Sequence, residues 1–125
     1  MKKLLLVDDD AKLLRSISRH FDELGYDVES CISAAEARVL LGRQRFDAIV
    51  CDNQMVGTNG TTLLAETCQQ YPDMARFMLS GNISNTQEYL LNWEIGVEQI
   101  FSKPCDLNEL ADAIEKAMPA TPNEA

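Results

Sequence analysis

The chain has 125 residues, of which 46% are hydrophobic and 25% are charged, as expected for a single globular domain. Its formal net charge is -9, so it lacks the excess of Lys and Arg with which proteins meet a nucleic acid backbone. No stretch reaches the roughly 18 apolar residues of a membrane span. The single histidine and the four cysteines lack zinc-ligand spacing, and we interpret the cysteines as reduced thiols of a cytoplasmic protein.

Short apolar runs alternate along the chain with longer stretches of helical period. In the first half, strands are predicted over 3–7, 26–31 and 46–51, and helices over 11–24 and 33–43. The apolar residues of the first helix predict an inward face formed by Leu13, Leu14, Ile17, Phe21 and Leu24. Gly25 is placed to end this helix, and Ser33 and Glu36 have the spacing of a capping box at the start of the second.

The second half repeats this alternation. After a loop that ends at Gly60, helices are predicted over 61–71, 85–95 and 106–118, and strands over 75–80 and 98–102. Five strands alternating with five helices predict an α/β fold with a parallel sheet and helices on both faces. We expect one domain over 1–118, followed by a Pro-rich polar tail, 119–125, that is disordered or begins a linker. A domain excised from a longer protein is therefore favoured.

Polar and charged residues cluster after the predicted strands. In an open parallel sheet, ligands bind outside the carboxyl ends of the strands. The residues at those ends are Asp8, Asp9 and Asp10 after the first strand, Asp52 after the third, Ser80 after the fourth and Lys103 after the fifth. No glycine-rich loop of the dinucleotide or P-loop type follows the first strand, which argues against a nucleotide ligand.

The clustered carboxylates predict a divalent cation, because like charges repel strongly where water is scarce. Mg²⁺ prefers carboxylate and carbonyl oxygens with waters and phosphate oxygens, and a carboxylate beside it can attack phosphorus. Lys103 and Ser80 can supply charge and hydrogen bonds to an incoming phosphoryl group. We expect Asp10 to cap the first helix instead of binding the metal. Strand alternation places Cys51 on the face opposite Asp52, which predicts a packing role.

Four segments, taken together, resemble the receiver domain of two-component response regulators over about residues 3–117. "LLLVDDD" resembles the acidic pair after the first strand, and "VCDNQMVGTNG" resembles the phosphoacceptor loop. "MLSG" resembles the hydroxyl residue and small residue after the fourth strand, and "SKPC" resembles the Lys-Pro step. The resemblance implies a flavodoxin-like fold with strand order 2-1-3-4-5, and a Lys103–Pro104 peptide bond that is commonly cis.

The same resemblance implies the chemistry of the site. A kinase phosphohistidine would transfer its phosphoryl group to Asp52, with Lys103 and Ser80 as the other reacting groups. Asp9, Asp52 and the backbone carbonyl of Gln54 would bind Mg²⁺ (or Mn²⁺ in its place), and Asp8 would act mostly through water. The partners would be a sensor histidine kinase or phosphotransfer protein and an output domain or downstream protein. The chain would catalyse only its own phosphorylation and dephosphorylation.

Departures from the family pattern keep a second function class open. Val56 replaces a common Pro, which predicts a more mobile phosphoacceptor loop. Ile100 replaces the aromatic switch residue, and a branched aliphatic side chain has few rotamers for a large movement. The last helix also lacks the Arg of receivers that dimerise through charged contacts. The alternative is a pseudo-receiver, an interaction module that works without phosphate. An enzyme acting on a diffusible substrate is disfavoured, because no further acid–base pair is present.

The output surface is predicted to include the helix over 85–95. Its apolar residues fall on two arcs, one with Tyr89, Leu90 and Trp93 and the other with Leu91 and Ile95. One arc would face the core and the other a partner, unless the second packs under a neighbouring loop. The resemblance places signalling on the fourth helix, the fifth strand and the fifth helix. We therefore expect Ser80 and Ile100 to act as the switch and the partner face to include Tyr89, Leu91 and Ile95.

Overall fold

The computed structural model describes residues 2–55, 58–81 and 95–118. The strands are β1 (Lys3–Val7), β2 (Asp27–Cys31), β3 (Ala48–Asp52), β4 (Gln54–Met55), β5 (Thr58–Asn59), β6 (Ala75–Ser80) and β7 (Val97–Ser102). The helices are α1 (Ala11–Glu23), α2 (Ala34–Arg43), α3 (Gly60–Gln70) and α4 (Leu107–Ala117). Val56, the tail 119–125 and the helix predicted over 85–95, apart from Ile95, lie outside the described residues. Four of the five predicted helices are thus available for comparison.

Five parallel strands form the central sheet in the order β2-β1-β3-β6-β7. The predicted order 2-1-3-4-5 is confirmed, since β6 and β7 are the fourth and fifth strands of that prediction. A short antiparallel pair, β4 with β5, lies within the segment predicted as a loop. Strands of two residues have no measurable hydrophobic period, so the sequence pattern gave no sign of this pair.

The sheet separates two apolar cores because side chains alternate between its faces. Helices α1 and α4 cover one face, where Ile17, Phe21, Leu110 and Ile114 pack against alternate residues of the strands. Helices α2 and α3 cover the other face with a second core. Central strands β3 and β6 are buried along their whole length. None of the helices in the described part of the chain is long and apolar enough to cross a membrane.

The predicted helix ends are confirmed, with one error in the apolar face. Ser33 Oγ accepts a hydrogen bond from the Glu36 amide at 3.2 Å, and the Glu36 carboxylate accepts one from the Ile32 amide at 2.9 Å. Gly25 has φ +92°, as a glycine that ends a helix can. Leu24 was predicted to point inward but is 53% exposed. It caps α1 beyond the last helical residue, so it no longer follows the helical period of the buried face.

Candidate functional site

Three carboxylates converge at the carboxyl edge of the sheet. Asp8 directly follows β1 and Asp52 ends β3, and these two strands are hydrogen-bonded neighbours. Ligand oxygens of Asp8, Asp9 and Asp52 lie within 4.8 Å of one another. Asp8 and Asp52 are buried, with exposures of 2% and 6%, whereas Asp9 is exposed. The cluster therefore consists of two buried carboxylates and one carboxylate that is open to solvent.

Lys103 bridges the two buried carboxylates. Its Nζ atom lies 2.9 Å from Asp8 Oδ2 and 3.1 Å from Asp52 Oδ1. Burial of the ammonium lowers the pKa of Lys103, but hydrogen bonds and charge interactions with both aspartates outweigh it, and the pKa of Lys103 is raised overall. The Lys103–Pro104 peptide bond is cis, as predicted. The lysine is thus held in its charged form at the centre of the acidic cluster.

Local backbone contacts fix the carboxylate of Asp8. The Asp8 amide donates to the carbonyl of Cys31 at 3.1 Å, and the Asp10 amide donates to Asp8 Oδ1 at 2.9 Å. Asp10 itself caps α1 by accepting hydrogen bonds from the amides of Lys12 and Leu13. The predicted role of Asp10 as the cap of α1 is therefore confirmed.

The backbone around Asp52 is tightly packed. The amide of Gly60 donates to the carbonyl of Asn53 at 2.7 Å, which closes the loop that follows β3. A Cβ atom on Gly60 would lie only 2.2 Å from the Asp52 carbonyl oxygen, so only glycine fits here. On the opposite face, the Cys51 thiol donates to the same carbonyl at 3.3 Å and is fully buried. Burial raises the pKa of Cys51, which agrees with its predicted packing role.

The predicted switch residues lie on β6, which pairs with β3, and on β7, which pairs with β6. Ser80 ends β6, is 3% exposed, and accepts a hydrogen bond on its carbonyl from the Lys103 amide at 2.9 Å. Ile100 in β7 and Ile95 before it are half-buried and pack against the core under α2 and α3. Tyr89 and Leu91 lie outside the described residues. The switch and the partner face therefore stay predictions.

The carboxylate cluster fits a magnesium ion. Mg²⁺ binds oxygen ligands at about 2.0–2.1 Å in an octahedron, so oxygens that share it lie roughly 3–4 Å apart. The spacing within 4.8 Å among Asp8, Asp9 and Asp52 requires only small side-chain movements to reach that geometry. Lys103 partly neutralises the cluster, which limits the repulsion among the carboxylates when no cation is present. Gln54, predicted to offer its backbone carbonyl, lies in β4 two residues beyond Asp52.

The sequence patterns did not lead us to single out Arg76, a buried charged residue. Arg76 in β6 is 6% exposed, and it is the only charged residue in the apolar run 75–80. A single charge inside a strand that is buried on both faces must find buried partners. That sequence signal could have identified it.

Comparison with known proteins places the chain in a family. The family model described as response regulator receiver domain matches residues 4–115. The hydrogenase transcriptional regulatory protein HoxA of Cupriavidus necator is 32% identical over 117 residues, covering 94% of this chain and 24% of that protein. The transcriptional regulatory protein GlrR of Escherichia coli K12 is 32% identical over 122 residues, covering 94% and 27%. The chain thus spans about a quarter of the length of these curated relatives.

Solved structures show the same fold. The signal receiver domain of an HD domain-containing protein from Pseudomonas fluorescens Pf-5 has 28% identity and a TM-score of 0.86, with 93% of each chain covered. A CheY-like response regulator receiver domain protein from Methanospirillum hungatei JF-1 has 26% identity and a TM-score of 0.88, with 93% of this chain and 92% of that one covered. The chain belongs to the response regulator receiver domain family.

Proposed function

We propose that this receiver domain is a phosphorylation switch in which Asp52 accepts a phosphoryl group from the phosphohistidine of a sensor kinase or phosphotransfer protein. The observation that carries the proposal is the double contact of Lys103 Nζ, 2.9 Å from Asp8 and 3.1 Å from Asp52. A half-buried ammonium beside the acceptor carboxylate can stabilise the negative charge of an incoming phosphoryl group. The domain would act only on itself, by gaining and losing this group.

The transfer can be written from the side chains present. An Asp52 carboxylate oxygen attacks phosphorus, an O–P bond forms, and the P–N bond to the donor histidine breaks. The histidine nitrogen keeps the electron pair of that bond and is then protonated. Lys103 can follow the developing charge onto the phosphoryl oxygens because its Nζ atom already contacts Asp52. Ser80, at the end of the next strand, can donate its hydroxyl to the phosphoryl group once that group is in place.

Asp8, Asp9, Asp52 and the Gln54 carbonyl would hold Mg²⁺, with Mn²⁺ as a substitute. When bound, the ion supplies charge neutralisation between the carboxylates and the phosphoryl oxygens. Asp9 is the accessible ligand of the set, while buried Asp8 is fixed by its hydrogen bond from the Asp10 amide. That arrangement supports a metal site that is open to solvent at Asp9 and has buried, fixed ligands beneath it.

The response would travel from Ser80 to the face formed by the helix over 85–95, β7 and α4. An output domain or downstream protein would read that face, consistent with relatives that are transcriptional regulators and about four times longer than this chain. The negative charge makes the domain itself a poor ligand for nucleic acid. A kinase partner and four free cysteines in the described residues support a cytoplasmic location.

The competing function is a pseudo-receiver that binds partners without phosphate. The half-buried Ile100, in place of an aromatic switch, supports this alternative. The cluster of Asp8, Asp9 and Asp52, with Lys103 in contact with Asp8 and Asp52, supports phosphorylation instead.

Incubation with Mg²⁺ and acetyl phosphate, followed by intact mass measurement, separates the two. We expect the mass of one phosphoryl group to be added, in a Mg²⁺-dependent reaction. Asp52→Asn is nearly isosteric and should fold normally but gain no phosphate. Absence of phosphorylation in the native chain would favour the pseudo-receiver, and normal phosphorylation of Asp52→Asn would show that another residue is the acceptor.

A further inference from the structure

Arg76 is a buried cation on the strand that ends at Ser80. Within the described residues no carboxylate pairs with it, although only 6% of it is exposed. Its guanidinium donates instead to three backbone carbonyls. Nη1 reaches Met74 at 3.0 Å and Tyr71 at 3.3 Å, and Nε reaches Gly96 at 3.3 Å. A buried charge is tolerated only when such partners replace its water.

These carbonyls belong to two separate segments. Tyr71 and Met74 lie in the loop between α3 and β6, whereas Gly96 lies in the turn that leads into β7. Gly96 has φ +74°, and a Cβ atom there would lie 2.8 Å from Arg76 Nη2. The guanidinium therefore packs directly on the glycine backbone and fastens the start of β7 to the loop before β6.

The pairing of β6 with β7 changes register beside this contact. Arg76 pairs with Val97, but the next residue, Phe77, pairs with Gln99, so Glu98 is an extra residue in β7. An extra residue of this kind re-aims the strand that carries it. Arg76 thus lies directly beside the irregularity after which β7 pairs regularly with β6.

The alignment of β7 determines the position of Lys103, which follows the strand. Beyond the irregularity the pairing is regular up to Ser80 with Ser102, and the Lys103 amide donates to the Ser80 carbonyl at 2.9 Å. A slip by one residue would turn every side chain of β7 to the other face of the sheet. It would also move the Lys103 ammonium away from Asp52.

We propose that Arg76 is a positioning residue for Lys103: by fastening the start of β7, it fixes the register that places the ammonium at the acceptor. Arg76 contacts neither Asp52 nor the carboxylate cluster, so its effect passes through the strand. The inference rests on the proposed function, because it assigns Arg76 a part in the phosphorylation of Asp52. Arginine suits the role because its planar fork holds donors on separate nitrogens, here Nη1 and Nε, whereas lysine carries its three donors on a single nitrogen.

The test measures phosphorylation by acetyl phosphate in Arg76→Lys and Arg76→Met. We expect both variants to stay folded and to react about tenfold or more slowly, since displacement of a reacting group by about 1 Å can cost as much as a hundredfold. Arg45→Met is the matched control, because it removes an exposed arginine and should react at the native rate. In a Lys103→Ala background, Arg76→Lys should change the rate less than twofold, since the effects of residues that act through one another are not additive.

Amide hydrogen exchange provides a readout that is independent of phosphorylation. The Lys103 amide, which donates to Ser80, should exchange faster in Arg76→Lys, while amides of β1 keep their native protection. If the Arg76 variants do not fold, Gly96→Ala should produce the same selective change by displacing the guanidinium. Equal effects of Arg76→Lys with and without Lys103, or native exchange at Lys103, would overturn the proposal. If the native chain gains no phosphate, the proposed function fails, and the exchange result still decides whether Arg76 positions Lys103.

Discussion

Replacement of Gly60 by alanine should displace Asp52, the proposed phosphoacceptor, without contact with its side chain. The added Cβ atom would lie 2.2 Å from the Asp52 carbonyl oxygen, 3.0 Å from the Asp52 carbonyl carbon and 3.1 Å from Asn53 Cα. All three atoms belong to the backbone, so no flexible side chain can move aside. The loop after β3 must therefore move away from the acceptor strand.

The size of the effect follows from these distances. The carbonyl and the new methyl group must separate by about 1 Å or more to reach ordinary carbon contacts of roughly 3.5 Å. Overpacking of this kind costs typically about 1–3 kcal/mol of stability. The displacement also weakens the bond from the Gly60 amide to Asn53. A shift of about 1 Å at the reacting carboxylate should slow phosphorylation by up to roughly a hundredfold.

Urea unfolding and the rate of phosphorylation by acetyl phosphate measure the two effects. Gly42→Ala is the control, because a Cβ atom there meets nothing within 4 Å inside α2. It should stabilise the domain by about 0.5–1 kcal/mol and leave the reaction unchanged. If Gly60→Ala matches the native chain in both stability and rate, the close approach at Asp52 does not constrain the acceptor.

Three further outcomes are expected. Mg²⁺ should raise the melting temperature, by an amount equivalent to about 2.7 kcal/mol at a hundredfold excess over its Kd. Asp9→Ala should reduce this response. An unchanged melting temperature of the native chain would contradict the proposed metal site. Lys103→Ala should still accept some phosphate but lose the downstream change, so a variant that signals normally would contradict its role. Amide exchange with and without a phosphate mimic should differ across residues 81–101, and changes confined to other regions would exclude that output face.

Much of the fold could be predicted because the sequence patterns are local. The helix cap at Asp10, the capping box at Ser33 and the helix end at Gly25 each depend on a few neighbouring residues. Leu24 was assigned wrongly because the apolar period continues for one residue after the helix has ended. The β4–β5 pair was missed because it is too short for any period.

The site could be predicted as a set of residues but not as a geometry. Parallel strands bring their carboxyl ends to one edge, so the convergence of Asp8, Asp52 and Lys103 follows from the order of elements. The bridging of two carboxylates by one lysine depends on side-chain distances that no sequence pattern encodes. Of the carbonyl partners of Arg76, Met74 is a near neighbour, but Gly96 lies 20 residues further along the chain, so no local pattern predicts that contact.

The position of Lys103 gives the outermost strand a direct connection to the middle of the sheet. Lys103 follows β7, but its two partners follow β1 and end β3, and β6 lies between β3 and β7. The Lys103 side chain therefore spans the carboxyl end of β6 and links the end of β7 to Asp8 and Asp52. If Asp52 changes charge as proposed, we expect the force on this contact to change without any deformation of the hydrogen bonds between β3, β6 and β7. On this proposal, the edge strand would respond to phosphorylation of Asp52 while the interior of the sheet keeps its structure.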